Sequence, residues 1–505
     1  MTRRKILLLQ PRCGKYDLYI CDLPLSLIYL ASVLEHQGRY HTVIVDQRTD
    51  ADWRQSLRKH LAGDVLMIGV TVMTGEPIRH ALEMCRLVRS CSDRPIVWGG
   101  IHPTLMPEQV VAHELVDYAI RDKGEYAIVE LAEHLEGRRD VSDVAGLTYK
   151  DAQGKVVSNP AAKSFDFSGI PRIPYELADP TRYYRSGFDG PVVSVMTSRN
   201  CPYKCAFCYN SSLKEHSPWM AEPIERTKET LDMLVEKYRP RYISFIDDNF
   251  FVKPQRAAEI LEFICGRRWD LDIGFRGARV DELLRCDEAM LELLVRARTR
   301  HVNIGVESGS PRILEILRKG ITPDQAIELN RRLARHPSII PLYNFFSGIP
   351  QETAEDIRMS TDLVLRLIRE NPTCQISGYH QYTPYPGSTL YETARQHGFV
   401  EPSTLDGWAE MQLENNARNC PWISRKRRRL LDMIYTMVYF ADRKYEIYFG
   451  RRSLLHRMLI PFVKLYRPLC RARLKHHITA LPLEVWAKNA FYWLMEKRRG
   501  RRIAS

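Results

Sequence analysis

The sequence predicts an α/β protein in three parts: an open parallel-sheet domain over residues 1–150, a partial parallel β/α barrel over 191–410 and a basic helical region over 411–505. Three observations carry this. Short apolar runs alternate with amphipathic stretches through the first 150 residues, the same alternation restarts near residue 192, and the positive charge collects at the end of the chain. At 505 residues there is length enough for two or three separate cores.

In the first region KILLL (from Lys5), HTVIV (from His41), DVLMIGV (from Asp64), PIVWGG (from Pro95) and DYAI (from Asp117) read as strands, with LSLIYLASVLEHQG and PIRHALEMCRLVRSC as helices among them. That βαβ rhythm gives an open, Rossmann-like sheet whose ligand lies beyond the carboxyl ends of the strands. The loops TVMTGEP, WGGIHPT and RDKGE occupy those ends. No GxGxxG follows the first strand, which argues against a dinucleotide. Residues 151–190, rich in Pro, Ser and Gly, read as a linker across a surface. Six further strands, VVSVMTS, RYISFIDD, LDIGFRG, HVNIGVES, PLYNFFSGIP and QISGYHQYT, begin near 192, 241, 271, 301, 341 and 375. Helical patterns fill the gaps, so a (β/α)6 partial barrel follows, its site again at the strand ends.

Composition narrows the setting. MTRRKILLLQ runs straight into a strand and shows no cleavable leader, and no stretch of about 18 apolar residues predicts a spanning helix. Twelve cysteines, scattered except for one triplet, suit a reducing cytosol better than a disulfide framework. From Arg425 to Ser505 there are 21 Lys and Arg against 5 Asp and Glu, a net of +16; with +13 for the whole chain, the body carries about −3.

The triplet is Cys201, Cys205 and Cys208, in CPYKCAFC just after the first barrel strand. A disulfide would strand one of the three. Zinc would need a fourth ligand, and the nearest candidates are His216, eight residues on, and the distant Cys265. Spacings of four and three suit a cuboidal iron–sulfur cluster in which three thiolates bind three irons and the fourth iron stays open.

CxxxCxxC with an aromatic before the third cysteine resembles the radical S-adenosylmethionine (SAM) superfamily, and the resemblance spans about residues 190–400. It implies a 4Fe–4S cluster on the three cysteines, SAM chelating the open iron, and cleavage of SAM to a 5′-deoxyadenosyl radical by the reduced cluster. It also implies SAM contacts: Phe207 against adenine, Asp247, Asp248 and Asn249 near the ammonium, and Arg276 at the carboxylate. Glu307 and Ser308 would meet the ribose, and the segment around Ile349 the adenine. For each carboxylate the alternative is an ordinary cap or salt bridge, and for Arg276 a surface cation.

An open α/β domain ahead of such a barrel resembles the cobalamin-dependent branch of the superfamily. Thr71, Thr74, Gly99, Gly100, His102, Gly124 and Glu125 would then line a cobalamin site; a purely structural sheet domain is the alternative. One departure stands out. Where many cobalamin domains carry Asp-x-His-x-x-Gly, this chain reads DQRTDA, with Asp46 kept, Arg48 in place of the histidine and Ala51 in place of the glycine. No histidine from that motif would ligate cobalt.

The resemblance implies an enzyme methylating an unactivated carbon, with oxidative cyclisation of the anaerobic magnesium-protoporphyrin ester cyclase type as the alternative. A tRNA methylthiotransferase, prompted by Cys13, Cys21, Cys85 and Cys91, and a non-catalytic cobalamin sensor rank below both. A low-potential donor, flavodoxin or ferredoxin, is the expected electron source. Tyr379, His380 and Tyr382 in GYHQYTPYPGS are candidate substrate contacts, with aromatic packing as their alternative. The basic, aromatic-rich tail reads as a contact with the inner face of the membrane of a cytoplasmic protein, ahead of nucleic acid, and suggests an apolar or lipid-like small-molecule substrate.

Overall fold

A computed structural model describes residues 3–489, except 15–16, 18–19, 162–165, 186–187, 189, 212–217, 412–419, 450–453 and 487. His216 and the terminal basic run of 490–505 lie outside the described residues.

The first sheet has seven strands: β1 Arg4–Gln10, β2 Tyr40–Asp46, β3 Val65–Thr71, β4 Ile96–Gly99, β5 Tyr118–Ile120, β6 Leu147–Lys150 and β7 Val156–Ser158, in the order β2-β1-β3-β4-β5-β6-β7. β1 lies parallel between β2 and β3, with Leu7 opposite Val43 on one side and Ile68 on the other. Ile6 to Leu9 are fully buried, as expected of a parallel strand covered on both faces. Helices α1 Leu25–His36, α2 Glu76–Arg89 and α3 Gly124–Leu135 supply part of that cover. The chain order reverses direction at β1, which opens a crevice at the carboxyl edge beside β1 and β3.

The linker expected over 151–190 is corrected. β7 falls inside it and pairs antiparallel with β6, Tyr149 opposite Val157, closing the sheet's edge. Further on, Tyr184–Arg185 pairs antiparallel with Ile20–Cys21. At only three residues, Val156, Val157 and Ser158, in a polar context, this short edge strand gives little sequence signal, and its pairing partner lies nearby in the chain.

The second sheet has six strands: β8 Val192–Val195, β9 Tyr242–Phe245, β10 Asp272–Arg279, β11 Thr299–Glu307, β12 Ile340–Ser347 and β13 Gln375–Gln381. All are parallel and each pairs with the next in chain order, a partial barrel open between β8 and β13. Helices α4 Arg425–Ala441 and α5 Leu454–His476 follow it. No helix among the described residues is long and apolar enough to cross a membrane.

Charged contacts bind the two sheets together. Arg199 pairs with Glu125 at 2.5 Å and lies over the rings of Tyr29 and Phe167, while Lys123 reaches the Asn200 side chain at 3.0 Å. The carboxyl edges of both sheets therefore share one boundary.

Candidate functional site

The cysteine loop leaves β8 and is pinned at both ends of its central turn. Ala206 donates its N–H to Leu317 O at 2.9 Å and accepts from Leu390 N at 2.8 Å. Asn200, in the left-handed region at φ 64°, gives its N–H to the Asp248 carboxylate at 2.9 Å. Cys205 is buried, and Cys201 and Cys208 are half-buried. Burial raises the Cys201 thiol and pushes Cys208 up to about 12, so negative charge on these sulfurs needs a cation or metal beside them.

Cations are at hand. Arg279 Nη1 lies 3.5 Å from Cys205 Sγ; its guanidinium sits over the Tyr203 ring at 3.7 Å and is held by Asp281 at 2.9 Å. Lys319 pairs with Glu307 at 2.8 Å. Burial alone would lower the Lys319 pKa, but Glu307 and Cys205 raise it, so the ammonium stays charged. Asn249 points its amide at Cys201 Sγ, 3.9 Å away, and donates to Glu282 at 2.9 Å. Among the described residues no three His, Cys, Asp or Glu converge enough for a single metal ion. A cuboidal cluster asks for less convergence, one thiolate per iron, and three thiols with two buried cations beside Cys205 fit that donor set.

The residues expected around SAM fall into two groups. Asp248 is exposed at the end of β9, Asn249 is beside Cys201, Glu307 ends β11, and Phe207 packs its ring 4.8 Å from Phe346. Glu307 takes φ 73°, a conformation unusual for a side chain with a Cβ and frequent at functional sites. The second group is Asp247, Ser308, Ile349 and Arg276. Asp247 is buried and accepts from Thr197 N and Oγ1 and from Ser198 Oγ. Ser308 shares a hydrogen bond with Ser360 at 3.0 Å, and Ile349 is packed in the core. Arg276 pairs with Asp22, from the loop ahead of α1, so the expected carboxylate contact is already engaged by the neighbouring domain. A register shift in β10 between Phe275 and Ala278 re-aims the strand, and Arg279 rather than Arg276 meets the cysteine loop. Gly277 is at that shift: a Cβ there would lie 2.3 Å from Asp248 O and 2.4 Å from Asp247 O.

The carboxyl edge of the first sheet is of a different character. Gly100 has φ 99°, and a Cβ there would lie 2.9 Å from Val72 O. Thr71 Oγ1 is 3.4 Å from Ser26 Oγ; Thr74 Oγ1 is 3.1 Å from His102 Nδ1. His102 is fully buried, which pushes its pKa down to about 3, and its Nε2 has no hydrogen-bond partner. Glycine backbone at Gly99 and Gly100, two hydroxyls and an unpartnered imidazole nitrogen fit a wide, amide-bearing ring such as cobalamin. Gly124 opens α3, with room for a Cβ only 3.3 Å from Leu30. Glu125 pairs with Arg199 of the barrel, so its carboxylate is also a contact between the two domains. In the DQRTDA loop Arg48 and Asp46 form a buried pair at 2.7 Å; Tyr183 donates to Asp46 at 2.8 Å and Arg48 to Asp22 O at 2.9 Å.

Asp22 joins the two edges. Its backbone takes Arg48, and its carboxylate takes Arg276 and the Ser194 hydroxyl, the latter at 3.0 Å. Of the candidate substrate contacts, Tyr379 is buried and stacked on Phe345, and Tyr382 is buried near Trp422. His380 differs. It is exposed, its neighbours still desolvate it enough to lower its pKa, and it lies level with its register partner Phe346. Sequence reading missed Arg279, Lys319, Asp22 and Phe346. The FRGARVDEL segment held a signal for Arg279, but not which of two arginines three apart would face the cysteines.

Two family models match the chain: the radical SAM superfamily over residues 195–364 and the B12 binding domain over 21–132. The uncharacterized methyltransferase PH0819 of Pyrococcus horikoshii is 31% identical over 377 residues, covering 74% of this chain and 78% of that one. The anaerobic magnesium-protoporphyrin IX monomethyl ester cyclase of Rubrivivax gelatinosus is 26% identical over 381 residues, 73% of this chain and 66% of the relative. Among solved structures, the cobalamin-dependent S-adenosylmethionine radical enzyme OxsB, with aqua-cobalamin and SAM bound, shares the fold at a TM-score of 0.72, with 19% identity over 94% of this chain and 72% of that one.

Proposed function

Because this chain belongs to the radical SAM superfamily, in the branch that carries a B12-binding domain, we propose that it methylates an unactivated carbon of an apolar or lipid-like metabolite. It is an enzyme whose cofactors are a 4Fe–4S cluster, SAM and cobalamin. When bound, these groups supply reductive cleavage of SAM, a radical that abstracts substrate hydrogen, and a methyl group carried on cobalt.

The chain's own residues have separate tasks in this reading. Cys201, Cys205 and Cys208 hold the cluster, Arg279 and Lys319 offset its negative charge, and Asp248, Asn249 and Glu307 orient SAM. Phe207 and Phe346, packed ring to ring beside the cysteine loop, keep water from SAM. Thr71, Thr74, Gly99, Gly100 and His102 hold cobalamin. The observation that supports methyl transfer is the Asp22 junction, which links the Arg48 loop to Ser194 and Arg276 of the barrel, so the two carboxyl edges adjoin. Flavodoxin or ferredoxin would deliver electrons, and the basic tail would rest on the inner face of the membrane.

Oxidative cyclisation stays as the second reading because of the cyclase relative. Product mass decides between them. Anaerobic turnover of the reconstituted enzyme with candidate apolar substrates should add one methyl per product, with one 5′-deoxyadenosine and one S-adenosylhomocysteine formed alongside. A product that loses hydrogen and gains no carbon would assign the cyclase reaction instead.

A further inference from the structure

Exposed large apolar side chains are concentrated at one place. Of the 13 among the described residues, eight lie between Met458 and Trp486. Four of them, Met458, Phe462, Leu465 and Leu469, are 61, 68, 81 and 56% exposed and fall at helical spacings of four, three and four along α5. They form a single row about 16 Å long at 1.5 Å per residue. The opposite side of α5 carries Val463, Cys470 and Leu474, all buried, and Cys470 donates to Met437 O of α4 at 3.3 Å. The helix is thus already seated, and its apolar row faces outward.

Charge says what covers that row. Between Met458 and Asn489 the sequence has one acid, Glu484, which is buried and paired with Arg473 at 2.6 Å. Lys464 and Lys475 are exposed along one flank of the row, with Arg471 between them. Beyond the row, Leu481, Leu483 and Trp486 are again exposed. The segment itself is therefore apolar and cationic with no exposed carboxylate; the exposed acids nearest it, Glu355 and Asp362, act on His477 beyond the end of the row. A second copy would bring an identical cationic flank against it, which like-charge repulsion opposes. A phosphate-tracking nucleic-acid surface would line its centre with Lys and Arg, where this one has Met, Phe and Leu.

The geometry points to an anionic lipid surface as the occupant of this face, with the α5 row inserted among acyl chains and the lysine flank against the headgroups. The inference deepens the reading of the tail as a peripheral attachment and is independent of the reaction assigned to the barrel. The helix is tied to the rest of the fold at its C-terminal end: His477 Nε2 is 2.9 Å from the Thr361 hydroxyl, and Arg471 donates to Ala441 O at 2.8 Å.

The test uses the full-length reconstituted protein and sedimentation with vesicles of phosphatidylcholine containing phosphatidylglycerol, against pure phosphatidylcholine. Binding to the anionic vesicles is expected at 0.05 M salt and should weaken at least tenfold at 1 M, where the screening length falls to about 3 Å. Phe462→Glu with Leu465→Glu should lose at least tenfold of that binding while SAM cleavage is unchanged, since both side chains are exposed. Lys464→Glu with Lys475→Glu should lose the preference for anionic vesicles. Wild-type protein left in the supernatant, or vesicle binding unaltered in the Glu pair, would overturn the inference. So would a dimer that the Glu pair dissolves, or RNA binding that the Glu pair abolishes. A failed methylation assay bears on the barrel alone and leaves this result standing.

Discussion

The carboxyl edges of the two sheets meet at Asp22, yet they are lined by opposite chemistry. The first offers glycine backbone, two threonine hydroxyls and a neutral, buried imidazole. The second offers three thiols, Arg279, Lys319 and the carboxylates that hold those cations. The difference follows from what each must accept. A broad organic ring is held by close backbone approach and many weak polar contacts, which charged side chains would obstruct. A cluster bound through thiolates brings concentrated negative charge into a buried site, and that charge is tolerable only with cations in contact.

The largest effect should come from the thiol edge. Cys201→Ala, Cys205→Ala or Cys208→Ala should abolish 5′-deoxyadenosine formation, and iron should fall well below the four per chain expected after anaerobic reconstitution. Cobalamin binding should persist in all three. A triple variant that still cleaved SAM would break the assignment of the charged edge to the cluster.

Next is Gly100→Ala. A Cβ at φ 99°, 2.9 Å from Val72 O, should destabilise the protein by about 1–3 kcal/mol and weaken cobalamin binding tenfold or more, read by thermal unfolding and by equilibrium titration. Iron content should not change. Because the DQRTDA loop holds an Arg–Asp pair and His41 stands at the far end of β2, the Co(II) spectrum should lack nitrogen splitting from an axial imidazole. Splitting traced to His41 or His102 would refute that.

A smaller effect separates charge from packing at the cluster. Arg279→Gln should lower the cluster's reduction potential by about 50 mV, or about 1 kcal/mol for one electron, and Arg279→Lys should recover part of it. An unchanged potential at full iron loading would reduce the Cys205 contact to packing.

The smallest concerns pH. Burial pushes Glu222, near the Asp247 network, up to about 7; the Thr227 hydroxyl lowers it, Asp247 raises it, and Arg256 and Arg226 lower it. With a folded value above the unfolded one, its contribution is complete below about 4.5 and is lost as pH rises through 7. Glu222→Gln should therefore gain about 1–3 kcal/mol relative to the native protein between pH 5 and pH 8, measured by denaturant unfolding. His102, at about 3, has the opposite sign: its neutral form is favoured above the unfolded histidine value and its contribution falls away only in acid. A Glu222→Gln profile parallel to that of the native protein would remove the contrast.

The strand pattern and the cysteine triplet were legible in the sequence because both are local. Period-two and continuous apolar runs mark the parallel strands, and the spacing of Cys201, Cys205 and Cys208 needs only one loop to bring the thiols together. The triplet alone could not say which charges surround it. The register shift in β10 turns Arg279 and not Arg276 toward Cys205, and the spacing of two arginines on one strand cannot reveal such a shift. In the same way, Glu125 and Tyr379 had plausible ligand-binding positions in the chain but took partners from distant segments, Arg199 and Phe345. The tail's charge was countable from composition, while the single outward row on α5 depended on which face α4 covered. Local spacing fixes residues within a loop or along a strand. Which side chains are left facing a site is set by long-range packing, because each buried charge or apolar surface must find its partner elsewhere in the fold.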